Sequence, residues 1–164
     1  MLKRLLFAAL LGGFFVPAFA APLALPDHRV TPGATVKITV AKVCSTKWGQ
    51  DARKVTAAMK QQAFENYGLT GNTDKACTPD KNGRRCEIDH AVPRQLGGAD
   101  DVKNLWPQPY GGEPWNAVRK DRIEYRLQKE VCAGRISLRK AQLEISRDYR
   151  VPYRRFFGDP SKEK

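Results

Sequence analysis

The amino-acid sequence predicts an α+β fold, and three observations carry that prediction. Apolar residues alternate over Thr35–Val40, then recur at spacings of three and four in later stretches. Between those stretches glycine and proline break the middle of the chain into segments too short for helices. Four cysteines, Cys44, Cys77, Cys86 and Cys132, lie in a chain whose first residues read as an export signal, so the fold is expected to be stapled by disulfides.

The elements follow in order. Val36, Ile38 and Val40 share one side of an extended chain and predict a half-buried N-terminal strand. Asp51 is placed to cap a helix in which Val55, Met59, Ala63 and Tyr67 fall four apart, with Gly68 ending it. Leu69–Gly83 is polar and rich in turn formers, a loop or hairpin arm. Arg85–Ala91 predicts a short strand stopped by Pro93, and Gly97–Asp101 a turn. Asn104, Leu105 and Trp106 predict a returning strand that Pro107 ends. Pro114 suits the first position of a helix whose Trp115, Ile123, Leu127 and Val131 form an apolar stripe and which Gly134 terminates. Ser137 would cap a last helix, with Leu138, Ala141, Ile145 and Tyr149 inward and Pro152 closing it.

Of the 164 residues, the first twenty are set apart: Lys3 and Arg4 precede an apolar run from Leu5 to Ala20 that ends in Ala18-Phe19-Ala20. This is the layout of a cleavable signal peptide, and the run of 16 residues is short beside the roughly 20 a membrane span needs. The domain plan is therefore signal peptide 1–20, extended lead-in 21–34, a single domain 35–158 and a frayed tail 159–164, with no membrane span after cleavage and a secreted or periplasmic destination. Removing Lys3 and Arg4 leaves 27 basic against 17 acidic residues, a net charge of +10. The excess concentrates between Arg119 and Arg155, with 12 basic and 5 acidic residues. Such a balance favours a polyanionic partner.

Four cysteines allow three pairings. Turn formers between Cys77 and Cys86 favour joining those two, which leaves Cys44 to Cys132. A zinc site from Cys77, Cys86 and His90 fits no common zinc spacing and suits an oxidising compartment poorly.

The chemistry-bearing residues lie between 86 and 120. Asp89 and His90 are adjacent at the end of a predicted strand, Asn104 opens the next strand and Asn116 starts the following helix. Cleaving a phosphodiester requires a base for water and positive charge at the phosphate and leaving oxygen. One imidazole and one divalent cation held by hard oxygens supply both. Asp89 and Asn116 offer such oxygens to Mg²⁺, or to Mn²⁺ or Ca²⁺, and His90 is free to act as base. Neighbouring strand residues point apart, so a twist at the strand end is needed for Asp89 and His90 to serve one site.

Three runs carry a resemblance. Cys86-Glu87-Ile88-Asp89-His90-Ala91-Val92-Pro93, Leu96-Gly97-Gly98-Ala99-Asp100-Asp101-Val102-Lys103-Asn104-Leu105-Trp106 and Trp115-Asn116-Ala117-Val118-Arg119-Lys120 together resemble the signature of HNH (His-Me finger) endonucleases, in a small exported bacterial form. The resemblance implies a ββα-metal core with flanking helices. It also implies Asp89 and Asn116 as metal ligands, His90 as general base and Asn104 as an orienting residue that bridges the loop to the strand and fixes the imidazole. Arg94, Arg119 and Lys120 become candidate phosphate contacts. The chain departs from the pattern in lacking paired zinc cysteines, in carrying Asn116 where many members have histidine, and in placing Lys120 one residue late.

The function so implied is hydrolysis of nucleic acid, DNA before RNA, with low sequence preference, since no helix-turn-helix or zinc-finger reader is visible. A second reading of the same residues is a non-catalytic polyanion-binding module on the same scaffold. Nothing in the sequence points to a protein partner.

Overall fold

The structure is a computed structural model that describes residues 23–47, 49 and 53–162. The expected signal peptide and the proposed Asp51 cap lie outside the described residues. Among those described, five helices and one two-stranded antiparallel sheet make a mixed α+β fold. No helix among them is long and apolar enough to cross a membrane.

The N-terminal strand is not formed. Thr35 makes a lone bridge to Gly98, while Val36 and Val40 are about half exposed. Among the described residues the segment makes no strand pairing beyond that bridge, and Thr39 takes it into a helix instead. The Thr39 hydroxyl accepts from the Lys42 amide and caps α1 (Val40–Ser45), which buries Val43. Helix α2 (Ala57–Asn66) likewise starts at a threonine cap, Thr56 on the Met59 amide, so Val55 precedes the helix and Ala63 and Phe64 are its buried residues.

Strand β1 (Cys86–His90) pairs with β2 (Leu105–Pro109) in a register that sets Asp89 opposite Trp106 and His90 opposite Leu105. Pro107 was expected to end the second strand, yet the ladder runs through it to Pro109. The flanking bonds explain why. Ala91 donates to the Asn104 carbonyl and Tyr110 donates to the Arg85 carbonyl, so even-numbered residues of β2 face β1. Leu105, Pro107 and Pro109 then face outward, where a missing amide hydrogen breaks no ladder bond. The Leu105 carbonyl on that outer edge accepts from the buried Thr31 hydroxyl.

Helix α3 (Ala117–Cys132) runs through the middle of the domain, capped by Asn116 rather than opened by Pro114. Its Ile123, Leu127 and Val131 pack with Val92, Leu96, Ala141, Ile145, Tyr149 and Tyr153 in the main core. Helix α4 (Leu138–Asp148) has the expected Ser137 cap. Pro152 does not close it. After Tyr149 the chain re-enters a helix, α5 (Arg150–Phe157), and Pro152 sits in its first turn, where amide hydrogens have no helical acceptor. A second cluster joins Phe64, Leu69, Cys77 and Cys86 under the start of β1.

Both disulfides pair as expected. Cys77–Cys86 closes a separation of 9 residues beside β1, and Cys44–Cys132 ties α1 to the end of α3 across 88. Two disulfides agree with an extracellular or periplasmic protein.

Candidate active site

The site begins with the last two residues of β1. Asp89 and His90 alternate along the strand, yet both border one small cleft of about 190 Å³ with Arg53, Arg94 and Glu124. The His90 side chain is 4% exposed, and its ring is held at both nitrogens. Nε2 lies 2.8 Å from Asp100 Oδ1, and Nδ1 lies 3.1 Å from Arg53 Nη2. Guanidinium groups only donate, so Nδ1 must be the accepting nitrogen, and Nε2 carries the hydrogen and donates it in a hydrogen bond to Asp100. Burial lowers the His90 pKa below its ordinary value, against the opposing pull of Asp89 and Asp100. The imidazole is therefore neutral at pH 7, with its lone pair on Nδ1.

Asp100 is itself fixed. Its Oδ2 accepts from the Lys54 amide at 2.7 Å, and Arg94 Nε lies 3.2 Å from Oδ1. Burial would raise its pKa, but the Lys54 amide, the His90 ring and Arg94 outweigh it and hold the carboxyl below the usual range.

Asn104 is fully buried and clamps the turn that carries Asp100. Its Oδ1 accepts from the Val92 amide at 2.8 Å, and its Nδ2 donates to the carbonyls of Val92 and Ala99 at 2.9 and 3.0 Å. It bridges loop and strand as expected. It does not fix the imidazole, which Asp100 and Arg53 hold instead. Gly98 completes the clamp, since a Cβ there would stand 1.7 Å from the Val92 carbonyl oxygen.

Lys120 is not a surface phosphate contact. It is fully buried, with Nζ 2.6 Å from Asp89 Oδ2, 2.7 Å from the His90 carbonyl, and in contact with the Glu124 carboxylate. Burial alone would favour the neutral amine; Asp89 and Glu124 overcome it and hold the pKa above the ordinary lysine value. Burial, opposed by Lys120, pushes Glu124 upward. On the same face as Asp89, burial and the Asp89 charge push Glu87 up to about 6, and Glu87 accepts from the Tyr110 hydroxyl.

Asn116 does not meet Asp89. Its Oδ1 caps α3 by accepting from the Arg119 amide at 3.2 Å, and its Nδ2 donates to Glu113 at 2.9 Å. It borders a different cleft, with Arg84, Tyr110 and Arg119. The cause is its place at the very start of the helix, where its side chain is taken up as the cap. Residues one and two turns later, Lys120 and Glu124, face the end of β1.

Among the described residues no group of three or more His, Cys, Asp and Glu is placed to hold one metal ion. What converges is two carboxylates and a carbonyl, around the Lys120 ammonium. These are hard oxygen donors of the kind Mg²⁺, Mn²⁺ or Ca²⁺ take, and here they surround the buried ammonium.

The residues missed from sequence are Arg53, Asp100 and Glu124. Asp100 stood in a quoted run and Glu124 four residues after Lys120, but Arg53 lies 37 residues from His90 with no local signal. No protein-family model matches the chain, nor does any curated protein or solved structure.

Proposed function

We propose that the protein is an exported, metal-dependent endonuclease of the HNH type, with β1, β2 and α3 as its ββα core. The observation that carries this reading is the His90–Asp100 pair, whose neutral imidazole directs a lone pair toward a guanidinium in a cleft that Asp89 and Glu124 also line. A nuclease needs that combination of base, phosphate contact and cation, and a packing histidine does not.

His90 Nδ1 takes a proton from water as the water oxygen attacks phosphorus and the 3′-oxygen leaves. Asp100 accepts the Nε2 hydrogen bond throughout and stabilises the imidazolium that forms. Arg53 lies on Nδ1 in the free protein and moves onto the incoming phosphate, freeing the lone pair. Asp89 and Glu124 would hold a divalent cation, which supplies charge stabilisation for the phosphate and the leaving oxygen. Arg94 lines the same cleft and keeps Asp100 ionised.

The Lys120 ammonium already neutralises Asp89 and Glu124, and this favours a second reading, a polyanion-binding module without catalysis. Cleavage of supercoiled plasmid by oxidised protein, with Mg²⁺ or EDTA and with His90→Ala alongside, separates the two. Metal-dependent nicking lost in His90→Ala is the expected result. Retardation of DNA without nicking under any divalent cation would replace the nuclease with the binding module.

A further inference from the structure

A second cleft, of about 460 Å³, runs along the free edge of β1. Cys86 through Asp89 line it, and no residue of β2 does. Its walls come from both sides of the sheet. Phe64 of α2 packs with Cys86 and Ile88 on one face, and Lys120 of α3 holds Asp89 on the other. The cleft therefore opens between α2 and α3, with Lys60 and Phe64 on the first side and Glu87 and Asp121 on the second. Arg53 and Asp89 also border the cleft at His90, so the two clefts adjoin.

The strand edge supplies main-chain groups. Arg85 and Ala91 bond to the partner chain at either end of the ladder, so the odd-numbered residues of β1 face β2. Cys86, Ile88 and His90 then turn their amides and carbonyls outward. Side chains blunt both ends of that edge. The Cys86 amide donates to Asn72 Oδ1 at 2.7 Å, and the His90 carbonyl accepts from Lys120 at 2.7 Å. Between them, neither the amide nor the carbonyl of Ile88 makes a hydrogen bond among the described residues. The open edge is too short for an added β-strand but suits a planar group with its own donors and acceptors.

The side chains select among such groups. Glu87 accepts from the Tyr110 hydroxyl through Oε2, which leaves Oε1 for a ligand. The Asp121 carboxylate makes no hydrogen bond among the described residues. One side of the cleft thus offers carboxylate acceptors beside a single main-chain donor, the Ile88 amide. Guanine presents the matching edge, two adjacent donors at N1 and N2 next to one acceptor at O6; adenine, cytosine and thymine each present one donor group. Phe64 and Ile88 give apolar surface for the face of a base, and Arg53 and Lys60 give counter-charge for its phosphate.

We propose that this cleft is a guanine-selective nucleotide subsite, with the base against Glu87, Asp121 and the main chain of Ile88 and the adjoining phosphate on Arg53 and Lys60. Its placement beside the cut rests on the nuclease reading; the binding itself does not.

The test measures binding without cleavage. Labelled short oligothymidylates with one central dG, dA or dC, or none, are titrated with the oxidised protein in EDTA and followed by anisotropy. The dG oligonucleotide should bind about tenfold tighter than the other three, as one good bidentate contact allows. Glu87→Gln should bring that ratio close to one. Asp121→Asn should lower it, and Asp121 is exposed and outside the Tyr110 contact, so this variant keeps its fold if the first does not. Because ratios are compared, the general gain in affinity from removing an acid cancels. Lys60→Gln should weaken all four alike and reduce the salt slope by about 0.7, as for one phosphate contact on a single strand. Equal affinity of the wild type for all four would overturn the subsite, as would a full dG preference in folded Glu87→Gln and Asp121→Asn. A dG preference in a protein that cuts nothing would leave the subsite standing and remove the nuclease reading alone. An active nuclease with no base preference in binding would do the reverse.

Discussion

Asp100 Oδ1 lies 2.8 Å from Nε2 of His90, and the opposite ring nitrogen faces the Arg53 guanidinium. The tautomer follows from that pair. Asp100→Asn replaces an acceptor with a group that can turn its amide toward Nε2. The ring proton then moves to Nδ1, the nitrogen that must be free to take a proton from water. Cleavage should fall about 100-fold, within the range of general-base contributions, while oligonucleotide binding in EDTA is unchanged. Nitrogen chemical shifts of the imidazole should report the switched tautomer. An unchanged tautomer with full activity would reduce Asp100 to a loop anchor.

The same carboxylate links stability to acid. Its folded pKa lies below the unfolded value near 3.9, despite burial, because the Lys54 amide, His90 and Arg94 favour the charged form. A depressed folded pKa contributes stability that is fully present above about pH 4 and is lost as pH falls through the folded value. The melting temperature of the wild type should drop between pH 6 and pH 3 by more than that of Asp100→Asn. Equal drops would show that this group does not set the acid limb.

Asn104 and Asp100 differ in what they control. Asn104→Ala leaves the Val92 amide and two carbonyls without their partner in a buried setting. The expected cost is about 2–4 kcal/mol in urea unfolding, with the turn bearing Asp100 loosened. Activity at low temperature should fall less than in Asp100→Asn. If Asn104→Ala abolished cleavage without loss of stability, its amide would have a direct role in the site.

Much of the fold was legible because it is local. The Ser137 cap, the spacing of Ile123, Leu127 and Val131, and the turn between Cys77 and Cys86 all act within a few residues, whereas the caps at Thr39, Thr56 and Asn116 were not read. The strand expected at Val36–Val40 failed because alternation states which side of a chain is apolar, not whether another strand pairs with it. Asn116 was assigned to the metal on its position at a helix start, and that same position made it the cap. The His90 neighbourhood was half legible. Asp89 and His90 are adjacent and Glu124 lies one helical turn after Lys120, but Arg53 reaches the site only through tertiary packing, and no spacing in the sequence encodes it.

The two disulfides should separate stability from site geometry. Chain entropy gives about 4–5 kcal/mol for a loop the size of Cys44–Cys132 and about 2–3 kcal/mol for one the size of Cys77–Cys86. Removing the first pair to serine should cost more in denaturant unfolding. Removing the second should cost less stability but more cleavage activity, since Cys86 is the first residue of the strand that carries Asp89 and His90. The reverse ordering in both assays would show that β1 is held by its pairing with β2 alone.

Lys120 offers the sharpest test of the cation position. Its ammonium sits among Asp89 Oδ2, the His90 carbonyl and the Glu124 carboxylate, fully buried. Removing one partner from a buried ion pair typically costs about 3–5 kcal/mol, because the remaining charge is left without compensation. Lys120→Met keeps much of the volume and should lose stability on that scale in EDTA. A divalent cation can then occupy the vacated position without displacing an ammonium. The melting temperature of Lys120→Met should therefore rise with millimolar Mg²⁺, Mn²⁺ or Ca²⁺ by more than the wild type's, as for any ligand that binds only the folded state. Glu124→Gln in the same background should remove that response. If no divalent cation stabilises Lys120→Met, then Asp89 and Glu124 exist to hold the lysine, and the metal must be sought elsewhere or dropped from the mechanism.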